Sequence, residues 1–102
     1  MAKKDMDGQL LEKTRDEVKE PSKYTCLLHN DNYTTQEFVV YVLKTIFKLK
    51  PEDAYQRMMD VHKKGKGYVG SYSYDIARTK STEVEALAKE NEYPLKCTVE
   101  RI

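Results

Sequence analysis

The sequence lacks several features that would place it in a common functional class. Its 18 lysine and arginine residues nearly balance 17 aspartate and glutamate residues, so the net charge of +1 gives no sign of the strong basic field that would attract nucleic acid or an anionic membrane. No apolar run approaches the roughly 20 residues that span a bilayer, and no hydrophobic signal-peptide region follows the first residues. We therefore expect a protein of the cytoplasm, or of a comparable compartment such as the plastid stroma, that binds neither nucleic acid nor membrane.

Motifs for metal binding and catalysis are also missing. Cys26 and Cys97 lie in alternating apolar segments without C-x-x-C or Cys/His spacing, so we expect buried, reduced thiols. Cys26, Asp31 and His62 include residue types of nucleophilic triads, but the strand alternation points Cys26 into the core. The sequence contains no Gly-rich phosphate loop, nucleophile elbow or paired-carboxylate motif. We expect no metal, no cofactor and no enzymatic activity.

The length of 102 residues is enough for one small domain. Residues 1–22 are rich in charge, contain no aromatic residue and close with Pro21-Ser22. This composition is typical of a flexible N-terminal extension. Residues 23–102 are the expected core domain, and no internal repeat interrupts them.

A strand followed by a helix is predicted from residue 24 onward. The segment Tyr24–His29 has the composition of a strand and ends at the turn formers Asn30-Asp31-Asn32. Thr34 is the predicted N-cap of the helix, because Glu37 three residues later completes a capping box. The apolar stripe of this helix comprises Phe38, Val39, Val42, Leu43, Ile46, Phe47 and Leu49.

The remaining segments predict two helices and two strands. Pro51 favours the start of a second helix, and Gly65-Lys66-Gly67 favours its end. A strand over Tyr68–Tyr72 follows, and Ser73 is the predicted cap of a third helix. The stripe of that helix comprises Ile76, Ala77, the Lys80 stem, Val84, Leu87 and Ala88. Leu95–Glu100 alternates as a half-buried strand. The order β-α-α-β-α-β predicts an α/β sandwich with three helices on one face of a three-stranded antiparallel sheet.

The turn Asn30-Asp31-Asn32 and His62 admit structural and functional interpretations. Such turn residues routinely satisfy backbone groups before a helix, and a histidine near a helix C-terminus is favoured by the helix dipole. In the functional interpretation, the turn and His62 would together place polar acceptors beside an apolar wall. The basic turn at residues 63–66 and the eight tyrosines also permit a small RNA- or ribosome-associated domain.

The assembled motifs resemble those of the ClpS family, adaptors that hand N-degron substrates to the Clp chaperone-protease machine. The resemblance covers nearly all of residues 22–102. Its specific segments are Tyr24–Tyr33, Thr34–Val40, Val61–Gly67, Ala88–Asn91 and Pro94–Thr98.

The resemblance implies a site for the free N-terminus of a substrate. Asn30, Asp31 and His62 would hold the α-ammonium group. Asn32, Thr34 and Gln36 would form the rim of the site and contact the peptide backbone of the substrate. The pocket for the first side chain, typically Leu, Phe, Tyr or Trp, would be lined by Val39, Met58, Val61 and Leu95.

Two residues depart from the family pattern. Gln36 occupies a position where the family usually has a methionine at the pocket mouth, so we expect an altered tolerance for Ile or Val. Asn32 stands where a second aspartate is common. We expect weaker long-range attraction for the substrate amine and a smaller penalty for an acidic second residue.

The resemblance also implies a partner. Asp75 and Lys80, on the third predicted helix, would dock on the N-terminal domain of the ClpA or ClpC unfoldase. The extension of residues 1–22 would be engaged by the unfoldase during delivery. The protein itself is expected to be a monomer.

Overall fold

The computed structural model describes residues 22–102. They form three strands and three helices in the order β-α-α-β-α-β. The strands are β1 (Tyr24–His29), β2 (Lys66–Tyr72) and β3 (Lys96–Arg101), and the helices are α1 (Gln36–Thr45), α2 (Pro51–Lys64) and α3 (Tyr74–Glu90). The predicted fold class is confirmed. The predicted extension, residues 1–22, lies outside the described residues apart from Ser22.

The central strand of the sheet is β1, which pairs antiparallel with β2 on one side and with β3 on the other. Its last residue, His29, lies opposite Lys66 and Lys96. Cys26 and Leu28 are fully buried in the core under the helices. The chain after His29 therefore leaves the sheet from its middle strand, beside the start of β2.

Helix α1 begins one residue later than the capping motif predicts. Thr35 is the N-cap, and its hydroxyl accepts a hydrogen bond from the Phe38 N–H at 3.1 Å. The prediction of Thr34 as the cap is wrong, because the Thr34 hydroxyl donates to Asp31 instead. Glu37 remains in the first turn, where the positive end of the helix dipole favours a carboxylate.

Helix α1 also ends earlier than its apolar stripe suggests. The last helical residue is Thr45, and Lys48 has a left-handed φ of 58°. The Leu49 N–H donates to the Leu43 carbonyl at 3.1 Å and folds the chain back. Phe47 is nevertheless buried, so the end of the stripe reaches the core without being helical.

The boundaries of α2 agree with the prediction. It begins at Pro51 and is closed by Gly65, whose φ of 90° is the left-handed conformation that glycine adopts without strain. Strand β2 then starts at Lys66, earlier than predicted. Gly67 lies inside it, where an added Cβ would come 2.8 Å from Val61 Cγ2. Glycine therefore lets β2 approach α2 closely.

Helix α3 is capped by Ser73, as predicted, and buries Ala77, Val84 and Ala88. Ile76 was expected in the same stripe but is 49% exposed, so that expectation is wrong. Ile76 directly precedes Ala77 in the helix, so its side chain points about 100° away from the buried side chain of Ala77. Within residues 22–102, no helix has the combination of length and apolar composition that crossing a membrane requires.

Candidate functional site

The loop between β1 and α1 is organised by the carboxylate of Asp31. Its Oδ1 accepts hydrogen bonds from the N–H groups of Tyr33 at 2.8 Å and Thr34 at 2.6 Å. Its Oδ2 accepts the Thr34 hydroxyl at 2.7 Å. An aspartate that accepts hydrogen bonds from backbone N–H groups two and three residues later in the chain forms an Asx turn. Asn30 and Asn32 are exposed on this turn.

The hydrogen bonds of this turn keep Asp31 ionised. Partial burial opposes the charged form, but hydrogen bonds from Thr34 and Tyr33 outweigh it and hold the pKa of Asp31 below its usual range. Because folding lowers this pKa, the ionised group stabilises the fold above its unfolded pKa. That stabilisation is lost as the pH falls through the lower pKa of the folded state. Asp31 is therefore negatively charged at neutral pH.

The C-terminal end of α2 is tied to the same loop. The Asn30 N–H donates to the Gly65 carbonyl at 2.9 Å, which joins the first loop residue to the residue that closes α2. His62 is exposed in the last turn of this helix. The free carbonyl groups of a helix end carry a partial negative charge. A cation is therefore favoured beside His62.

A cavity of about 400 Å³ opens between the loop, the start of α1 and the end of α2. Its wall has a polar part from the loop and helix ends and an apolar part from the helix interiors. The lining residues are Asn30, Asp31, Asn32, Tyr33, Thr34, Thr35, Gln36, Val39, Met58, Val61 and His62. Within this described lining, Asp31 is the only acidic residue and there is no lysine or arginine. The wall therefore suits a ligand that combines a cationic group with an apolar group.

The structure brings nearly all of the predicted site residues to this one cavity. The predicted ammonium-binding residues, the predicted rim residues and three of the predicted pocket residues all line it. Leu95 does not. It lies just before β3, is 4% exposed and belongs to the core cluster, whereas the wall comes from the first loop, α1 and α2. A role for Leu95 in the pocket stays a prediction.

Tyr33 and Thr35 also line the cavity, although neither is among the predicted site residues. Tyr33 is 78% exposed at the turn that Asp31 forms. Thr35 is committed to the start of α1, and its hydroxyl also donates to the Tyr93 hydroxyl at 3.5 Å. Both lie between predicted site residues and within the segments that resemble the ClpS family, and this position is the signal that could have identified them.

The two predicted docking residues lie on α3, outside the cavity lining. Asp75 is exposed in the first turn. Lys80 is half-buried: its Nζ donates to the Ile46 carbonyl at 2.9 Å and lies 5.8 Å and 5.5 Å from the ring centroids of Phe47 and Tyr72. Lys80 thus holds the end of α1 against α3. A docking role for either residue stays a prediction.

The described residues offer no alternative centre based on a metal. Residues 22–102 contain no group of three or more His, Cys, Asp or Glu side chains placed to hold a metal ion. The buried thiols of Cys26 and Cys97 belong to the core of the sheet.

Comparison with known protein families agrees with the geometry of the cavity. The family described as ATP-dependent Clp protease adaptor protein ClpS matches residues 19–98. The chain belongs to the ClpS family. The matched range contains every residue that lines the cavity. Membership of this adaptor family favours an adaptor over the RNA- or ribosome-associated alternative.

Several bacterial ClpS proteins are similar to this chain over most of their length. The ATP-dependent Clp protease adapter protein ClpS of Syntrophus aciditrophicus is 46% identical over 99 residues, which cover 97% of this chain and 92% of that protein. ClpS of Myxococcus xanthus is 51% identical over 86 residues, which cover 84% and 80%. A solved structure, Agrobacterium tumefaciens ClpS2 bound to L-phenylalaninamide, matches with a TM-score of 0.79 at 38% identity and covers 81% of this chain and 100% of that one.

Proposed function

We propose that this ClpS-family adaptor binds the free N-terminus of proteins that begin with a bulky hydrophobic residue and delivers them to a Clp AAA+ unfoldase-protease. The observation that carries the proposal is the cavity, which joins polar acceptors to an apolar wall at the end of a helix. Phenylalaninamide, the ligand of the related ClpS2, has the two matching parts, a free amine and an aromatic side chain. Leu, Phe, Tyr and Trp are the proposed first residues.

The polar part of the cavity suits an α-ammonium group. An α-amino group has a pKa of roughly 7.7 to 8.0, so it is largely charged at neutral pH and offers three donors. The side-chain oxygen of Asn30 and a neutral ring nitrogen of His62 are the proposed acceptors. Asp31 supplies opposite charge, and the C-terminal end of α2 adds the partial negative charge of its carbonyl groups.

The apolar part of the cavity suits the first side chain of the substrate. Val39, Met58 and Val61 each belong to the buried core and also line the cavity. They belong to two helices that pack against each other, so the pocket wall is part of the packed core. Burying a Leu or Phe side chain contributes roughly 1.5 to 3 kcal/mol.

Delivery requires a second surface on the adaptor. The exposed start of α3, which contains Asp75, is the proposed contact for the N-terminal domain of ClpA or ClpC. Lys80 would contribute by holding α3 and α1 together rather than as a free charge. In this proposal the adaptor acts in the cytoplasm as a monomer, without a cofactor and without chemistry of its own.

The ammonium group should decide the affinity. Charge-assisted hydrogen bonds contribute roughly 1.5 to 3 kcal/mol each, so acetylation of a Phe-starting peptide should weaken binding by roughly tenfold or more. Fluorescence anisotropy with fluorescein-labelled peptides, each prepared with a free and an acetylated amine, measures the effect. A peptide starting with Ser tests the apolar part. Equal binding of the free and acetylated forms would refute the proposal.

Gln36 should tune which first residues are accepted. It is the first residue of α1 and lines the cavity, with a polar side chain at a mouth that methionine usually occupies in the family. We expect Gln36→Met to change the ratio of affinities for Ile- and Leu-starting peptides, while the wild-type protein and the variant both bind the Leu-starting peptide. Glu37→Gln, a change next to the mouth but outside the lining, is the matched control. An unchanged Ile/Leu ratio in Gln36→Met would contradict a role for this residue.

A further inference from the structure

The sheet has an outer face that points away from the helices. Cys26 and Leu28 belong to the core cluster under the helices, so the alternate residues of β1 point to the opposite side. Residues directly opposite each other on neighbouring strands share a face. The outer face therefore comprises Thr25, Leu27 and His29 of β1, Lys66 and Tyr68 of β2, and Lys96, Thr98 and Glu100 of β3. None of these residues belongs to the core cluster that the three helices cover.

One end of the outer face carries a row of three basic side chains. His29 lies directly opposite Lys66 on one side and Lys96 on the other, and neighbouring strands are about 4.8 Å apart. Within residues 22–102, the salt bridges lie on α2 and include neither lysine. The acidic residue of the outer face, Glu100, is four residues from Lys96 along β3, about 13 Å away. The basic row is therefore a positive patch without a negative partner among the described residues.

The other end of the outer face contains a second cavity, of about 390 Å³. It is lined by Thr25, Tyr68, Gly70, Arg101 and Ile102, and the side chains of Tyr68 and Ile102 are largely exposed. The Ile102 N–H donates to the Lys23 carbonyl at 2.9 Å. The chain that precedes Ser22 therefore joins the domain at the edge of this second cavity.

The segment that precedes Ser22 has the charge and the length to cover both features. Between residues 5 and 20, six acidic residues outnumber three basic ones. Val18 lies within about 18 Å of the point where the chain enters the sheet, so it can reach the second cavity. Glu12 lies six residues before Val18 and can be up to about 21 Å from it, whereas Thr25 and His29 are about 13 Å apart along β1. A chain with Val18 in the second cavity can therefore place Glu12 at the basic row.

We propose that residues 10–20 bind the outer face of the same molecule, with Val18 in the second cavity and the Glu12 carboxylate at the basic row. The lining of the second cavity shares no residue with the substrate cavity, so the contact leaves the substrate cavity open. The contact keeps the segment from the unfoldase, and its release makes the segment available. This consequence for delivery rests on the proposed function, whereas the contact itself does not.

A nitroxide spin label on a Thr14→Cys variant of the full-length chain locates the segment by NMR. The native thiols of Cys26 and Cys97 are 0% and 3% exposed, so the label reacts with the new cysteine. We expect the label to broaden the amide signals of Leu27 and Thr98, in the middle of the outer face, more than those of α3 on the other side of the sheet.

The basic row is tested by Lys66→Gln combined with Lys96→Gln. We expect this double variant to lower the ratio of bound to free segment about fivefold, the effect of two exposed ion pairs, and to remove most of the broadening. Trypsin cleavage after Arg15 in the unlabelled chains should become faster by about the same factor. Lys44→Gln combined with Lys89→Gln removes the same charge from exposed positions on α1 and α3 and is the matched control.

Three results would contradict the proposal. The first is broadening that does not favour the outer face, and the second is broadening and cleavage that the double variant leaves unchanged. The third is broadening of an isotope-labelled chain by a spin-labelled chain mixed with it, which would assign the contact to a second copy. None of these measurements uses a substrate peptide, so their failure leaves the proposed function intact. Equal binding of free and acetylated peptides would refute the proposed function without affecting the contact.

Discussion

At the residue scale, the charge of the cavity wall rests on one carboxylate. Asp31 is ionised, and its oxygens already accept three hydrogen bonds from the loop. Its neighbour Asn32 is an exposed, neutral amide on the same wall. An aspartate at that position would double the negative charge near the proposed ammonium site. We therefore expect substrate binding to depend more on short-range hydrogen bonds than on long-range attraction.

The Asn32→Asp variant should show this dependence. We expect tighter binding of free-amine peptides at low salt and a larger penalty when the second residue is Glu rather than Gln, because like charges then meet at the mouth. Anisotropy titrations at low and high ionic strength measure both effects. Gln56→Glu adds the same charge on α2 outside the cavity lining and is the matched control. Unchanged affinities across second residues at low salt would show that the idea is wrong.

Single residues also show where sequence reasoning reaches its limit. The residue types around Asn30 and His62 left a structural and a functional interpretation open, and the prediction of a binding site there came from the resemblance to the ClpS family. The direction of the hydrogen in the Thr34 hydroxyl was not predictable. It depends on the 2.7 Å contact with Asp31, which exists only once the turn has closed.

At the scale of secondary-structure elements, boundaries set by backbone chemistry were predictable. Pro51 fixes φ and opens α2, Gly65 adopts the left-handed conformation that closes it, and Ser73 caps α3. The turn formers after His29 end β1 where predicted. In each case the residue itself carries the constraint, so the surrounding fold does not change the outcome.

Boundaries set by competition between equivalent groups were not predictable. Thr34 and Thr35 both have side chains that can cap α1, and the Glu37 spacing favours Thr34. The Asp31 carboxylate decides the competition because it takes both the N–H and the hydroxyl of Thr34. Thr35 is then the first residue whose hydroxyl is available to the Phe38 N–H. The predicted and observed N-caps of α1 therefore differ by one residue because the Asp31 carboxylate binds the Thr34 hydroxyl.

The end of α1 has a similar tertiary cause. The apolar stripe continues beyond Thr45, but the left-handed Lys48 and the bond from Lys80 Nζ to the Ile46 carbonyl favour a turn over another helical residue. Periodicity reports which side chains are buried, and Phe47 is buried as expected. It does not report whether the backbone that carries them is still helical.

At the scale of the whole molecule, the cavity depends on strand pairing. The loop after β1 and the last turn of α2 are far apart in sequence, and they meet because His29 pairs with Lys66 and the Asn30 N–H donates to Gly65. The sheet therefore sets the distance between the two halves of the proposed ammonium site. All residues that line the cavity lie between Asn30 and His62, so the proposed substrate binding would be separate from the N-terminal segment of the chain.

That separation predicts the effect of deleting residues 1–20. Every residue of the cavity wall lies outside the deleted segment, so the truncated protein should bind a Phe-starting peptide within about twofold of the full chain, as expected for distant, independent sites. Delivery should be lost, because we propose that the unfoldase engages this segment. The measurements are peptide anisotropy and degradation of a Phe-starting fluorescent protein by ClpAP or ClpCP.

A full-length chain with residues 1–20 scrambled is the control for composition and length. If the scrambled chain supports delivery and the truncated one does not, the unfoldase needs a segment of that length rather than a particular sequence. If truncation abolishes peptide binding while the fold persists, the cavity of residues 30–62 is not sufficient for recognition and the proposed division between binding and delivery is wrong. Normal degradation of the substrate in the presence of the truncated adaptor would instead place the whole contact with the unfoldase on the folded domain. The exposed start of α3 around Asp75 would then be the surface to mutate next.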